Sequence, residues 1–229
     1  PMNTTAEELQ KIVSEYCKTA VVSSSEDSEG ARTYTVPGGK TYPSVTTILS
    51  AMADDAWLGE WISRVGVEEA KLVTDTATAR GTSMHSLIEN HFLGKPVDKT
   101  ALGYSLYRRL QIYLQDITPL GLEIPLWSDT LKTAGRTDCL AILPKLGVSI
   151  VDYKSALREK TADQITDYFH QSALYAALVY ERMGIAAKKI VILIGVDNGK
   201  TVGFPQKFVR NTSDYLEPAI KIVQAYHQR

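Results

Sequence analysis

Two β-forming runs split by a four-residue breaker constrain this chain more than any other stretch does. Residues 133–143 and 148–155 flank Pro144-Lys145-Leu146-Gly147. Pro and Gly in those places mark a turn, so the simplest local structure is an antiparallel hairpin. Side chains alternate across a strand, which puts Asp152 and Lys154 on one face. If the loop closes around Lys145, Asp138 stands opposite Asp152, and cross-strand partners share a face. Two acids at hydrogen-bond range repel each other unless a cation sits between them. Lys154 supplies one positive charge, and Mg²⁺, which favours carboxylate and water ligands, could supply the rest. The plainer reading is a solvated strand face with a surface ion pair. The helix expected after the hairpin weighs against it, because Gln171 and Tyr175 lie four residues apart on one face.

Gly135-x-x-Asp138, Asp152-x-Lys154 and Gln171-x-x-x-Tyr175, in this order, resemble the RecB-type nucleases of the PD-(D/E)XK superfamily. Two upstream stretches are similar to the mitochondrial genome maintenance exonucleases and related phage exonucleases. They are Tyr42-Pro43-Ser44-Val45-Thr46-Thr47-Ile48-Leu49 and Arg80-Gly81-Thr82-x-x-His85-x-x-x-Glu89. The motifs span residues 42–175, most of the chain.

The resemblance implies a restriction-endonuclease-like α/β core of order α-β-β-β-α-β, a central mixed sheet flanked by helices with an N-terminal helical extension. It also implies hydrolysis of a DNA phosphodiester with one or two Mg²⁺ or Mn²⁺ ions. Asp138, Asp152, His85 and the carbonyl of Tyr153 would hold them, and an imidazole ligand favours Mn²⁺. Lys154 would orient the attacking water or stabilise the transition state. Gln171 and Tyr175 would contact phosphate as neutral groups. Similarity to the phage and mitochondrial enzymes suggests single-stranded DNA with a free end, in replication or recombination. Helices within 44–94 could then arch over the site so that a strand must thread.

Composition sets the outer limits. At 229 residues and 44% hydrophobic, the chain is expected to form a single domain with a core of ordinary size, about 1–94 helical and about 95–229 carrying most of the motifs. No apolar run reaches membrane-span length and no signal peptide is visible, while Pro1 before Met2 reads as a cleavage scar. Cys17 and Cys139 cannot build a disulfide framework, so a reducing cytoplasm is expected, that of a host if the gene is phage-borne. Two cysteines also exclude the four-Cys iron–sulfur cluster of some RecB-type relatives. A net charge of −1 argues against broad adhesion to duplex DNA, but not against a local basic groove beside an acidic site.

In chain order, Thr5-Ala6-Glu7-Glu8 is a capping box that opens a helix to about Lys18. Residues 23–30 read as a mobile polar loop. A hairpin is expected over 32–42, followed by a helix over 45–52 capped by Ser44. That N-terminus, with Ser44 and Thr46, either only caps the helix or also grips a phosphate. Helices are expected over 56–73, with Trp57, Leu58, Trp61, Ile62 and Val65 as a core stripe in which one Trp could instead stack on a base, over 77–92, and over 101–117. Arg80 and Thr82 are candidate DNA contacts, whereas Arg108 and Arg109 are expected in solvent, where either could line a phosphate path. Glu123, on a strand over 122–127, either joins the metal shell or faces water, and Glu89 could accept the free ring proton of His85. Thr161 should cap a helix to Met183, with a buried strand over 189–196 and a return strand through Val209. A last helix covers 213–227, its start delayed by Pro218.

Three other functions fit the same residues. One is a catalytically silent nucleic-acid-binding module, against which the joint presence of His85, Asp138, Asp152 and Lys154 argues. The others are a structure-specific endonuclease and a metal-dependent phosphatase.

Overall fold

The computed structural model describes residues 5–53, 56–201 and 203–229, and of 56–58 the backbone only, so Trp57 and Leu58 of the expected stripe lie outside the described side chains. The N-terminal part comprises α1 (Ala6–Thr19), β1 (Ser23–Glu26), β2 (Arg32–Thr35), β3 (Thr41–Pro43) and α2 (Val45–Met52). Then come α3 (Ala56–Val65), α4 (Val67–Phe92) and α5 (Tyr104–Leu114). The main sheet is built from β4 (Thr118–Ser128), β5 (Thr133–Leu143), β6 (Gly147–Ala156), β7 (Lys189–Val196) and β8 (Gln206–Asn211). Helix α6 (Thr166–Met183) links β6 to β7, and α7 (Thr212–His227) closes the chain.

The main sheet runs β4-β5-β6-β7-β8, antiparallel except for the parallel pair β6–β7. A parallel pair needs a crossover, and α6 supplies it. Apolar side chains of the sheet alternate between two helical layers. Leu140 and Ile150 pack with Val13 of α1, Ile48 of α2, Leu174 and Leu178 of α6, and Val223 of α7. Cys139, Val151 and Leu193 face the other way, onto Met84 and Ile88 of α4 and Leu106 and Leu110 of α5. This is the mixed α/β core with helices on both faces that the stripes require.

The β5–β6 hairpin closes around Lys145 as expected, with Leu143 opposite Gly147 and both Lys145 (φ 63°) and Gly147 (φ 73°) left-handed. The expected capping box of α1 also forms. The Thr5 hydroxyl accepts the Glu8 N–H at 3.2 Å, and the Glu8 carboxylate accepts the Thr5 N–H at 2.7 Å.

Five expectations need correction. Residues 23–26 form an edge strand paired with β2, not a loop. All four of its side chains are exposed, so pairing through the backbone leaves no hydrophobic alternation to read. The expected helical extension therefore also holds a three-stranded sheet, whose Tyr34 and Tyr42 pack on Trp127 and Ala134 of the main sheet.

Second, the helix break falls at Gly66 (φ 91°), not at the threonines of 74–78, and α4 runs unbroken to Phe92. A few β-branched residues cost only tenths of a kcal/mol each, whereas a left-handed residue cannot continue the helix. Third, the stripe on α3 is not core: Trp61, Ile62 and Val65 are only half-buried.

Fourth, Thr161 does not cap α6; one 3₁₀ turn, Asp163–Ile165, comes between them. Fifth, Pro218 lies inside α7 without delaying it. The start is fixed instead by Thr212, whose N–H and hydroxyl donate to the carbonyls of Lys188 (3.0 Å) and Ala187 (2.7 Å).

Among the described residues no helix is long and apolar enough to cross a membrane. Cys17 and Cys139 are both free thiols.

Candidate functional site

The main sheet splits, and the split makes the site. Strand β5 stays paired with β4 as far as Thr133 opposite Ser128, and β6 stays paired with β7 as far as Ala156 opposite Val196. Between β5 and β6, however, pairing stops at Cys139 opposite Val151. The next step of that register is Asp138 opposite Asp152. Here the Asp138 Oδ2 accepts the Tyr153 N–H at 2.8 Å, in place of a backbone partner. On the other side, the pairs Leu122–Cys139 and Ile124–Thr137 bracket Glu123 and Asp138. Glu123, Asp138 and Asp152 thus form one row across three strands. Glu123 has φ 48°, a left-handed conformation that costs a non-glycine residue about 1–3 kcal/mol and persists only where its surroundings fix it.

His85 enters this gap from α4. Its Nε2 lies 2.8 Å from the carbonyl oxygen of Tyr153, and its Nδ1 lies 3.5 Å from Asp138 Oδ1. A carbonyl can only accept, so Nε2 carries a hydrogen. In the protonated ring Nδ1 carries the second one, toward Asp138, and loss of that proton leaves the Nδ1 lone pair there for a metal. Ligand atoms of His85, Glu123 and Asp138 all lie within 4.8 Å of one another. One imidazole and two carboxylates suit a divalent ion such as Mn²⁺ or Zn²⁺, and Mg²⁺ less closely. The Tyr153 carbonyl, expected among the metal ligands, is here the group that orients His85. The partner expected for that ring, Glu89, lines a cavity of 430 Å³ beside it, together with Thr82, Glu123 and Arg136.

Lys154 fastens the other end of the row. Its Nζ donates to Asp152 Oδ1 and to Gln171 Oε1, both at 3.0 Å, and lies 2.8 Å from Asp152 Oδ2. Gln171 in turn donates to the Tyr175 hydroxyl at 3.4 Å. The Tyr175 ring packs on Gly135, where an added Cβ would come within 2.7 Å of its Cε1. The glycine of Gly-x-x-Asp is therefore a matter of space: it lets α6 bring Gln171 and Tyr175 against the split.

Charge in the row is perturbed as crowding dictates. Burial, reinforced by the Asp138 charge, pushes the Glu123 carboxyl up to about 7. Burial pushes Asp152 up to about 6 even though Lys154 opposes it. Burial alone would lower His85, but the hydrogen bond and charge of Asp138 outweigh it and push the imidazole up to about 9. Burial likewise works to raise Asp138, yet His85 and Lys154 hold it below the usual carboxylate range.

Of the candidate DNA contacts, Ser44 and Thr46 line a cavity of 300 Å³ with Asp138, Gln171 and Tyr175. The Ser44 hydroxyl caps α2, accepting the Thr47 N–H at 2.9 Å, while Thr46 is exposed. Thr82 is exposed one turn before His85. Arg80 stands apart: it pairs with buried Asp197 at 3.3 Å and donates to that residue's carbonyl at 3.2 Å. Arg32 and Arg136, which line the same cavity as Thr46, carry no sequence signal, being one strand residue and one variable position of a motif.

No family model matches the chain, and no curated protein matches it to significance. Among solved structures it is similar to that of a "putative exonuclease" from Eubacterium rectale, with 10% identity and a TM-score of 0.42. The match covers 66% of this chain and 65%, less than two thirds, of that one.

Proposed function

We propose that the protein is a divalent-metal-dependent deoxyribonuclease. The observation that carries this reading is the convergence of His85, Glu123 and Asp138 in the split of the sheet, with the Asp152–Lys154 pair beside them. His85 Nδ1, Asp138 and Glu123 would hold the ion, with Asp152 flanking it. When bound, such an ion supplies positive charge that offsets the negative charge gathering on a phosphate under attack.

The chain's own groups do the rest. The Tyr153 carbonyl holds His85 in the tautomer that presents Nδ1. Asp152 and Gln171 together hold the Lys154 ammonium in one place, where it stabilises charge on a non-bridging or leaving oxygen. Gln171 and Tyr175 offer neutral hydrogen bonds to phosphate and leave the cationic groups free. The substrate in this reading is single-stranded DNA with a free end, cut exonucleolytically.

End-labelled linear single strand, its duplex and a circular single strand, each digested with Mn²⁺, with Mg²⁺ and with chelator, test the proposal. The linear strand should be degraded with either metal and spared by chelator, and the circle should persist. Binding without cleavage under every metal would make the protein a silent binding module. Equal rates on circle and line would make it an endonuclease.

A further inference from the structure

A cavity of 790 Å³ opens beside Lys154, and nothing above uses it. Its floor continues β6 from Ser155, the residue after Lys154. Trp61 and Arg64 of α3 form one wall, Arg158 and Lys160 lie beyond the end of β6, and Tyr168 of α6 completes it. Among the described residues three cations thus face one lining carboxylate, Glu60, in a chain whose net charge is −1. Arg64, Arg158 and Lys160 form no ion pair with a described residue, whereas Arg80, Arg182 and Lys154 are all paired. Trp61 is half-buried on a helix with no fully buried side chain among the described ones, so its ring is not spent on the core. The Tyr168 ring packs in part on the apolar cluster around Phe169 and Ile192, lines the cavity, and has Lys154 Nζ 5.0 Å from its centroid.

Aromatic faces interleaved with cations along an open groove match unpaired bases joined by phosphates. A duplex hides its base faces, and an apolar ligand gains nothing from three cations. We propose that this cavity is the approach path for single-stranded DNA. Bases stack on Trp61 and Tyr168, phosphates lie on Arg64, Arg158 and Lys160, and Tyr168 hands the strand to Lys154. Only the direction of travel rests on the nuclease reading; the binding surface stands on its own residues.

The test is binding, measured apart from cleavage. Full-length protein carrying Asp152→Asn, with Mg²⁺, is titrated onto a short fluorescein-labelled oligothymidylate across a range of salt. Trp61→Ala should weaken binding roughly 5- to 150-fold, the loss of one stacked base, while Trp61→Phe retains most of it. Arg158→Gln with Lys160→Gln should reduce the slope of log affinity against log salt by about 0.7 per lost phosphate contact. Arg158 is exposed, so that arm does not depend on the packing of α3.

Unchanged affinity in Trp61→Ala at an unchanged melting temperature, or an unchanged salt slope in the double variant, overturns the proposal. So does equal weakening of duplex binding. Trp61-dependent binding by a protein that never cleaves would keep this surface and remove the nuclease reading. Cleavage by a protein whose binding ignores Trp61 would do the reverse.

Discussion

The Asp138 carboxylate accepts the Tyr153 N–H at 2.8 Å at the point where the β5–β6 ladder ends. A side chain thereby takes the place of a backbone acceptor and holds two strands apart, without leaving a buried N–H unpaired. The same residue turns its other oxygen toward His85 Nδ1 at 3.5 Å, and the Tyr153 carbonyl accepts the opposite nitrogen of that ring at 2.8 Å. Asp138, Tyr153 and His85 therefore fix one another, and the fold of the strand pair and the geometry of the site are one arrangement.

Asp152→Asn keeps the volume of a side chain that is 2% exposed and removes its charge. Two electrostatic effects oppose each other in the folded state: Lys154 loses its close counter-charge, and Asp138 loses a like neighbour. Stability should move little, whereas turnover should fall on the order of 100-fold or more, since Lys154 keeps Gln171 but loses its charged partner and the site loses one carboxylate charge. Initial rates in Mn²⁺, with melting curves on the same preparation, check this. Near-normal turnover would remove Asp152 from the site.

The metal-free protein should become less stable as pH rises from 5 to 9. Glu123 and Asp152 are raised in the folded state to about 7 and about 6, so between their unfolded values and these the native state binds more protons. Stability is then lost as pH climbs through that window. His85, raised to about 9, contributes stability that is complete below about 6.5 and lost through about 9, in the same direction. Asp138, lowered, has the opposite sign, but its contribution is lost only in acid below this range. A divalent ion displaces these protons, so Mn²⁺ affinity should rise with pH and the melting temperature should gain most from Mn²⁺ at the alkaline end. Melting curves at several pH values, with and without Mn²⁺, measure both. A metal-free melting temperature that rises over this range contradicts the assignment.

Much of this site was legible because its signals are local. The turn at Pro144–Gly147 sets a register, and the register sets which acids face each other. Glu123 was visible only as one of two options, since its place in the row depends on a left-handed backbone that no residue type announces. The Tyr153 carbonyl as a ligand rests only on the resemblance, and Glu89 on its place four residues after His85. The contacts that His85 makes to Tyr153 and Asp138 cross elements, where spacing says nothing. Ser23–Glu26 escaped notice because an edge strand with four exposed polar side chains differs from a loop only in its backbone hydrogen bonds. Trp61 misled in the other direction, an apolar face on α3 that covers a groove instead of the core.

Gly135→Ala should cost about 1–3 kcal/mol of stability by overpacking, because the new methyl lies 2.7 Å from the Tyr175 ring. The strain belongs to that pair, so Tyr175→Leu in the same chain should return part of the loss, a coupling that a double-mutant cycle in urea measures. Additive effects would show that Gly135 is required for some reason other than room for Tyr175. Activity should stay low in the double variant even where stability returns, since the Tyr175 hydroxyl and its bond to Gln171 are gone.

His85→Ala separates a metal ligand from a packing histidine. The side chain is 28% exposed, and its polar contacts, a hydrogen bond to Tyr153 and a 3.5 Å approach to Asp138, lie away from the apolar cluster formed by Met84, Leu87 and Ile88 of the same helix. Removing it deletes little buried apolar surface, so the melting temperature should fall only slightly. The loss at the site should be larger, because Asp138 and Glu123 then face each other with neither the imidazole nor a three-residue ligand set between them. Activity should fall steeply and recover in part as Mn²⁺ is raised, with half-saturation shifted to higher metal. Conversely, a melting temperature that drops first, with the rate following it and the Mn²⁺ dependence unchanged, would make His85 a structural residue and leave Asp138 and Glu123 to hold the ion. Melting and Mn²⁺ titration of the rate, done on one preparation, decide between them.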